Sequence, residues 1–249
     1  MDFRTFQKYR NGKVGIMLKK RPKEQMGTSN LGWLESRFHF SFAEYYNPAN
    51  IRFGVLRVLN DDIIHPMSGF GTHPHENMEI ISYIVDGEIT HKDSMGNSET
   101  LTRGEVQYLS AGDGIEHSEY NRHESQDLRL LQIWIFPPRK GLAKLYGSHR
   151  FTPSQRKNQL LHIISSHKGN APIKIYQDVD IYVCELDAVK ALSFDLSNDR
   201  QVYFVQIEGS SIVNDVALDP GDAMEIKEES TLHITAVTNS HFLFIEMAQ

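Results

Sequence analysis

The run Met78-Glu79-Ile80-Ile81-Ser82-Tyr83-Ile84-Val85-Asp86-Gly87-Glu88-Ile89-Thr90-His91 decides the fold class. Its first eight residues are rich in β-branched and aromatic types and carry no 3.6-residue stripe, which is the signature of a largely buried strand. The strand ends at Asp86-Gly87, where glycine accepts the positive φ of a tight turn, and a second extended run follows, so the spacing predicts a hairpin. The next break is Met95-Gly96-Asn97. Outward from there, further strands are predicted over 99–102, 106–109, 115–120 and 130–136. The last is stopped by Pro137-Pro138, which cannot donate to a ladder. Sustained helical stripes are scarce, and the class is all-β.

The same skeleton recurs about a hundred residues on. Val85-Asp86-Gly87 followed by Thr102-Arg103-Gly104-Glu105 matches Ile207-Glu208-Gly209 followed by Asp219-Pro220-Gly221-Asp222. Two copies of short strands joined by acidic-glycine turns predict two jelly-roll or sandwich-like barrels, because closure protects strand edges. The linker is expected after Pro138, dividing the chain into domains 1–138 and 139–249. Residues 139–159 read as polar and irregular, and strands resume near 160.

A chain of 249 residues, 40% hydrophobic and 23% charged, can bury such cores. Its 26 basic and 32 acidic residues leave a net charge of −6 without a basic stripe, which argues against nucleic-acid binding. The single cysteine, Cys184, excludes an internal disulfide and a multi-cysteine metal cluster, and it reads as a small buried hydrophobe. Residues 1–18 offer no apolar leader and no membrane span, so a cytoplasmic protein is expected.

Twelve histidines are spread along the chain, and two groups stand out. In Gly69-Phe70-Gly71-Thr72-His73-Pro74-His75 the two imidazoles are i and i+2, which on extended backbone places them on one face. His117 and Glu119, in Gly112-Asp113-Gly114-Ile115-Glu116-His117-Ser118-Glu119, have the same relation. A lone His-x-His is more often a surface coincidence. Two such pairs at strand positions, each after a glycine-rich segment, instead assemble three imidazoles and a carboxylate suited to divalent Fe, Mn, Ni, Cu or Zn.

These two motifs, with Gly32-Trp33 and Phe40-Ser41-Phe42 before them, resemble the pirin family of the cupin superfamily, especially its bacterial quercetinase-like members. The resemblance implies a bicupin of two double-stranded β-helices. It also implies one metal in the N-terminal barrel, held by His73, His75, His117 and Glu119, and a C-terminal barrel without metal. Iron is the first expectation, with Mn, Ni, Cu, Zn or Co as alternatives. Counting the motif offsets from Gly209 and Gly221 in the second half reaches Asp195, Ser197, Ile234 and Ala236, which form no ligand set.

Many cupins take their carboxylate from the first motif, at a position Glu79 could fill. Glu119 is favoured because it shares a face with Ile115 and His117 and matches the pirin pattern. Trp33, Phe40, Phe42, Met67 and Phe70 are candidates for an apolar pocket wall, although aromatic residues near strands are usually core. His39, His65, His233 and His241 are read as packing, hydrogen-bonding or surface residues.

The resemblance implies a quercetin 2,3-dioxygenase that cleaves the flavonol heterocyclic ring with O2 and releases CO, Glu119 serving also as catalytic base. The rival expectation is a metal- or redox-responsive regulator that binds a protein partner. The expected partners of the enzyme are a flavonol-type substrate and O2, with no nucleic acid and no membrane, and the expected state is a monomer.

Overall fold

The computed structural model describes the backbone of residues 6–10 and 13–17 and all of residues 18–249. Part of residues 1–18, where no leader is expected, therefore lies outside the described residues. Among them, helix is confined to the short turns Lys23–Gln25 and Pro153–Arg156. None is long and apolar enough to cross a membrane.

The chain forms two compact units, and it passes between them more than once. One holds Met26–Thr152 and Ser166–Gln177; the other holds the N-terminal stretch to Gln25, Pro153–Ser165 and Asp178–Gln249. The single boundary expected at 138/139 is not where the chain divides. Lys13–Arg21 pairs with Ala223–Lys227 and sends Leu18 into the core of the C-terminal unit. Within 139–159, expected to be irregular, Leu145–His149 pairs with Val106–Ser110 as an edge strand of the first unit.

That first unit is a sandwich of two sheets. The larger runs, in spatial order, Leu145–His149, Val106–Ser110, Glu79–Asp86, Leu128–Ile135, Leu56–Ile64, Leu34–Phe38 and Gly27–Asn30. The smaller runs Ser68–His75, Ile115–Asn121, Glu88–Asp93 and Ser98–Thr102. The predicted strands from Met78 to Phe136 are all present within two residues of their expected ends.

The predicted hairpin at Asp86-Gly87 is absent, because its two strands belong to different sheets. Gly87 (φ 75°) carries the chain around a corner against Asp127, and a Cβ there would lie 2.4 Å from the Asp127 carbonyl oxygen. The hairpin is the next turn, where the Asp93 carboxylate accepts from the Met95 and Asn97 backbone N–H groups.

The internal repeat is visible at the corners. Gly104 N donates to Ile84 O at 2.8 Å in one unit, and Gly221 N donates to Gln206 O at 2.7 Å in the other. Glu105 and Asp222 accept from Thr102 N and Asp219 N in the same way.

The interiors differ. In the first unit Leu130, Ile84 and their neighbours form one apolar cluster, while Ile80, Leu109, Ala111 and Ile115 form another. Between them the register places Asn60 opposite Gln132, Gln132 opposite Ser82, and Ser82 opposite Gln107, all buried. In the C-terminal unit the row at the same ladder positions is Tyr182, Phe244, Phe204 and Met224. Stacked rings fill that barrel, with Tyr182 and Phe244 centroids 5.0 Å apart. One fold thus carries a polar belt in one copy and a closed apolar core in the other.

Candidate metal centre

The geometry of the site begins with strand register. His73 on Ser68–His75 is the direct cross-strand partner of His117 on Ile115–Asn121. Gly69 permits the close approach of these strands, since a Cβ there would lie 2.3 Å from the Glu119 carbonyl oxygen and 2.6 Å from Tyr120 Cα. His75, two residues from His73, falls on the same face, and ring centroids are separated by 4.5 Å (His73–His117), 4.8 Å (His73–His75) and 4.9 Å (His75–His117). One ligand atom from each imidazole lies within 4.8 Å of the others.

The state of these rings suits a cation. The His73 Nδ1–H donates to Gly71 O at 2.7 Å, which fixes the ring and leaves Nε2 available. Both ring nitrogens of His117 are buried without a hydrogen-bond partner, an arrangement costly in a folded interior unless something else satisfies them. Burial, reinforced by the charges His117 and His73 would carry, pulls His75 down to about 4. Burial and the neighbouring His73 and His91 pull His117 down to about 3. Both are therefore neutral near pH 7, the form that ligates metal.

Glu119 converges with His117 and His91 rather than with the whole imidazole trio. Its two oxygens accept from the larger sheet: Ser82 Oγ at 2.8 Å and Gln132 Nε2 at 2.8 Å. These donors hold the carboxylate beside His117 without exhausting its lone pairs. His91 is fully buried, and both its nitrogens are engaged, Nδ1 accepting from Gln107 Nε2 and Nε2–H donating to Asp93. The polar belt of the larger sheet thus serves the site directly. Ser82, Gln107, Gln132 and His91 were not singled out in the sequence. The signal available was one polar residue in the middle of each apolar run, as in Leu130-Leu131-Gln132-Ile133-Trp134.

Glu79 has a different place. Fully buried, it accepts from Tyr108 Oη at 2.7 Å and from the backbone N–H groups of Tyr176 at 2.7 Å and Gln177 at 3.0 Å. It ties the returning segment Ser166–Gln177 to its unit, and it belongs to neither ligand grouping.

A cavity of about 280 Å³ opens over the imidazoles, just below the range usual for small-molecule sites. Phe42 and Phe70 line it, as expected, together with Leu31, Leu34, Phe38 and Trp134. The other three proposed wall residues do not: Phe40 is buried core, Trp33 packs edge-on to Phe70, and Met67 is exposed. His39 is buried outside the cavity, and burial pulls it down to about 4. His65 pairs with Asp127 at 2.8 Å.

In the C-terminal unit, Ile234 and Ala236 are buried in the apolar core. The cross-strand partner of Ile234 is Leu192, not Asp195, because the intervening loops differ in length between the copies.

Comparison with known proteins agrees with this architecture. Residues 19–135 match the family described as Pirin, and residues 162–247 match the quercetinase C-terminal cupin domain. A pirin-like protein of Caulobacter vibrioides is 39% identical over 93% of this chain and all of its own. The quercetin 2,3-dioxygenase of Escherichia coli K12 is 38% identical over 93% of this chain and 99% of its own. Among solved structures, the bacterial pirin YhhW of Escherichia coli in complex with nickel(II) superposes with a TM-score of 0.88 at 36% identity, covering 93% of this chain and 99% of that one. The chain belongs to the pirin family of cupin-fold proteins.

Proposed function

We propose that the protein is a metal-dependent flavonol dioxygenase of the quercetin 2,3-dioxygenase type, with His73, His75, His117 and Glu119 as its metal ligands and Glu119 as its base. The observation that carries this reading is the buried His117 ring, whose two nitrogens lack partners within a trio of imidazoles at an apolar cavity. A divalent ion held there supplies a Lewis acid that lowers the pKa of a bound hydroxyl.

The chain's own residues do the rest. Phe38, Phe42 and Phe70 shape the cavity for a planar ring system and exclude water from it. Glu119, oriented by Ser82 and Gln132, accepts the proton of the flavonol 3-hydroxyl, leaving the substrate as its anion. One flavonol and one O2 then yield one ring-opened ester and one CO. The name of the Escherichia coli relative supports the same substrate class. Imidazole and carboxylate ligands accommodate several divalent ions, and iron remains the first expectation.

The test is purified protein loaded in turn with Fe, Mn, Ni and Cu and assayed for loss of flavonol absorbance under oxygen. Turnover with at least one metal is the expected result. Inertness with all four would favour the alternative, a pirin-type regulator that binds a protein partner.

A further inference from the structure

The larger sheet contributes more to the cavity than an apolar wall. Asn60 and Asp62 stand at i and i+2 on Leu56–Ile64, so their side chains share one face, and both line the cavity over the imidazoles. They are 4% and 3% exposed. Ser36, beside them and also lining the cavity, hydrogen-bonds to the Asp62 carboxylate. Even so, Asn60 Oδ1 and Asp62 Oδ1 are both buried without a hydrogen-bond partner.

Their neighbours on the ladder behave otherwise. Ser82 and Gln132, in register with Asn60, are consumed in holding Glu119. Asn60 and Asp62 have no comparable task within the protein, and two desolvated polar oxygens on residues that wall one apolar cavity cost stability unless a ligand meets them.

We propose that Asn60 and Asp62 are specificity-determining residues that hydrogen-bond to hydroxyl groups on the body of the ligand, away from the group presented to His73, His75 and His117. A hydroxyl is the group that suits both, because it can donate to the amide oxygen and either donate to or accept from the carboxyl group. The preferred ligand is therefore a planar aromatic carrying several hydroxyls rather than one with the metal-facing hydroxyl alone. This inference rests on the flavonol reading above and narrows it.

The experiment is equilibrium binding, by calorimetry under anaerobic conditions, of quercetin and of 3-hydroxyflavone to the metal-loaded protein. The variants are Asn60→Leu and Asp62→Leu. The wild type is expected to prefer quercetin by about tenfold or more, the size of one or two buried hydrogen bonds. Each variant should lose most of that preference while binding 3-hydroxyflavone as before. Because the oxygens removed are unpaired in the folded protein, Asn60→Leu is also expected to melt no lower than the wild type. An ordinary structural role would lower its melting point.

A preference for quercetin that persists in both variants overturns the proposal. Equal weakening of the two flavonols does so as well. Failure of both flavonols to bind the metal-loaded wild type overturns both this proposal and the flavonol reading. Binding with the predicted preference, but without oxygen uptake when air is admitted, counts against the dioxygenase reading alone.

Discussion

Gln132 donates to Glu119 Oε2 at 2.8 Å and so joins the two sheets of the first unit at the edge of the imidazole trio. Ser82 holds the other oxygen of the same carboxylate. Without them Glu119 would be free to swing from His117, and outer partners of this kind typically contribute 10–100-fold to metal affinity. Gln132→Leu is therefore expected to lower metal affinity by about 10-fold or more while leaving the fold intact. Competition with a metal-binding dye measures it. Unchanged affinity would remove Gln132 from the site's support.

The two carboxylates considered from the sequence separate cleanly by their partners. Glu119→Gln should cut flavonol turnover by about 10²- to 10⁴-fold, the usual loss when a general base is removed. Glu79→Gln should leave metal content unchanged. It replaces one acceptor oxygen with an NH2 facing the Tyr108 hydroxyl or the Tyr176 and Gln177 backbone donors. A stability loss of about 1–3 kcal/mol is expected, read by denaturant unfolding. Loss of metal in Glu79→Gln would reverse the assignment.

Much of this site was legible in the sequence because period two is a local property. Once 68–75 and 115–121 are strands, His73, His75, His117 and Glu119 must point to one side of their sheet. The sheet partners were not legible, since which strand lies opposite which depends on long-range topology. That is why Asp86-Gly87 read as a hairpin although it turns a corner between sheets. It is also why the polar belt of Asn60, Gln132, Ser82 and Gln107 emerged only from the register. The domain boundary failed for the same reason. Nothing local in Lys13–Arg21 states that it will pair with Ala223–Lys227.

Acid should destabilise the metal-free protein through its imidazoles. His75 and His117 fall from 6.5 to about 4 and about 3 on folding. The unfolded chain therefore takes up protons first as pH drops below 6.5, and stability present above that pH is lost as it falls through about 4 and then about 3. Melting temperatures of chelator-treated protein across this range should decline, and His117→Ala should decline less steeply. An identical slope in the variant would contradict the assignment.

Asp62 should act with the opposite sign. Burial, followed by the charges of Asp61 and Glu119, raises it from 3.8 to about 7 against the Ser36 hydrogen bond. The folded protein holds this proton while the unfolded chain releases it, so stability falls as pH rises from 3.8 to about 7. Asp62→Asn should accordingly raise the melting temperature of the metal-free protein above pH 7, by about 2–4 °C for each kcal/mol regained. The gain should fade toward pH 4. A loss of stability at high pH would show that the Asp62 charge is compensated in the folded state.

On the proposed function, the trio of imidazoles is the seat of an oxygen-dependent ring cleavage. The most direct test is carbon monoxide released per quercetin consumed, measured side by side in metal-loaded wild-type protein and in His117→Ala prepared identically. One CO released and one O2 consumed for each quercetin are expected in the wild type. In His117→Ala both CO release and stoichiometric metal should be lost, with the fold retained. CO release by His117→Ala at the wild-type rate, or its absence from wild-type protein carrying one metal per chain, would contradict the proposed function.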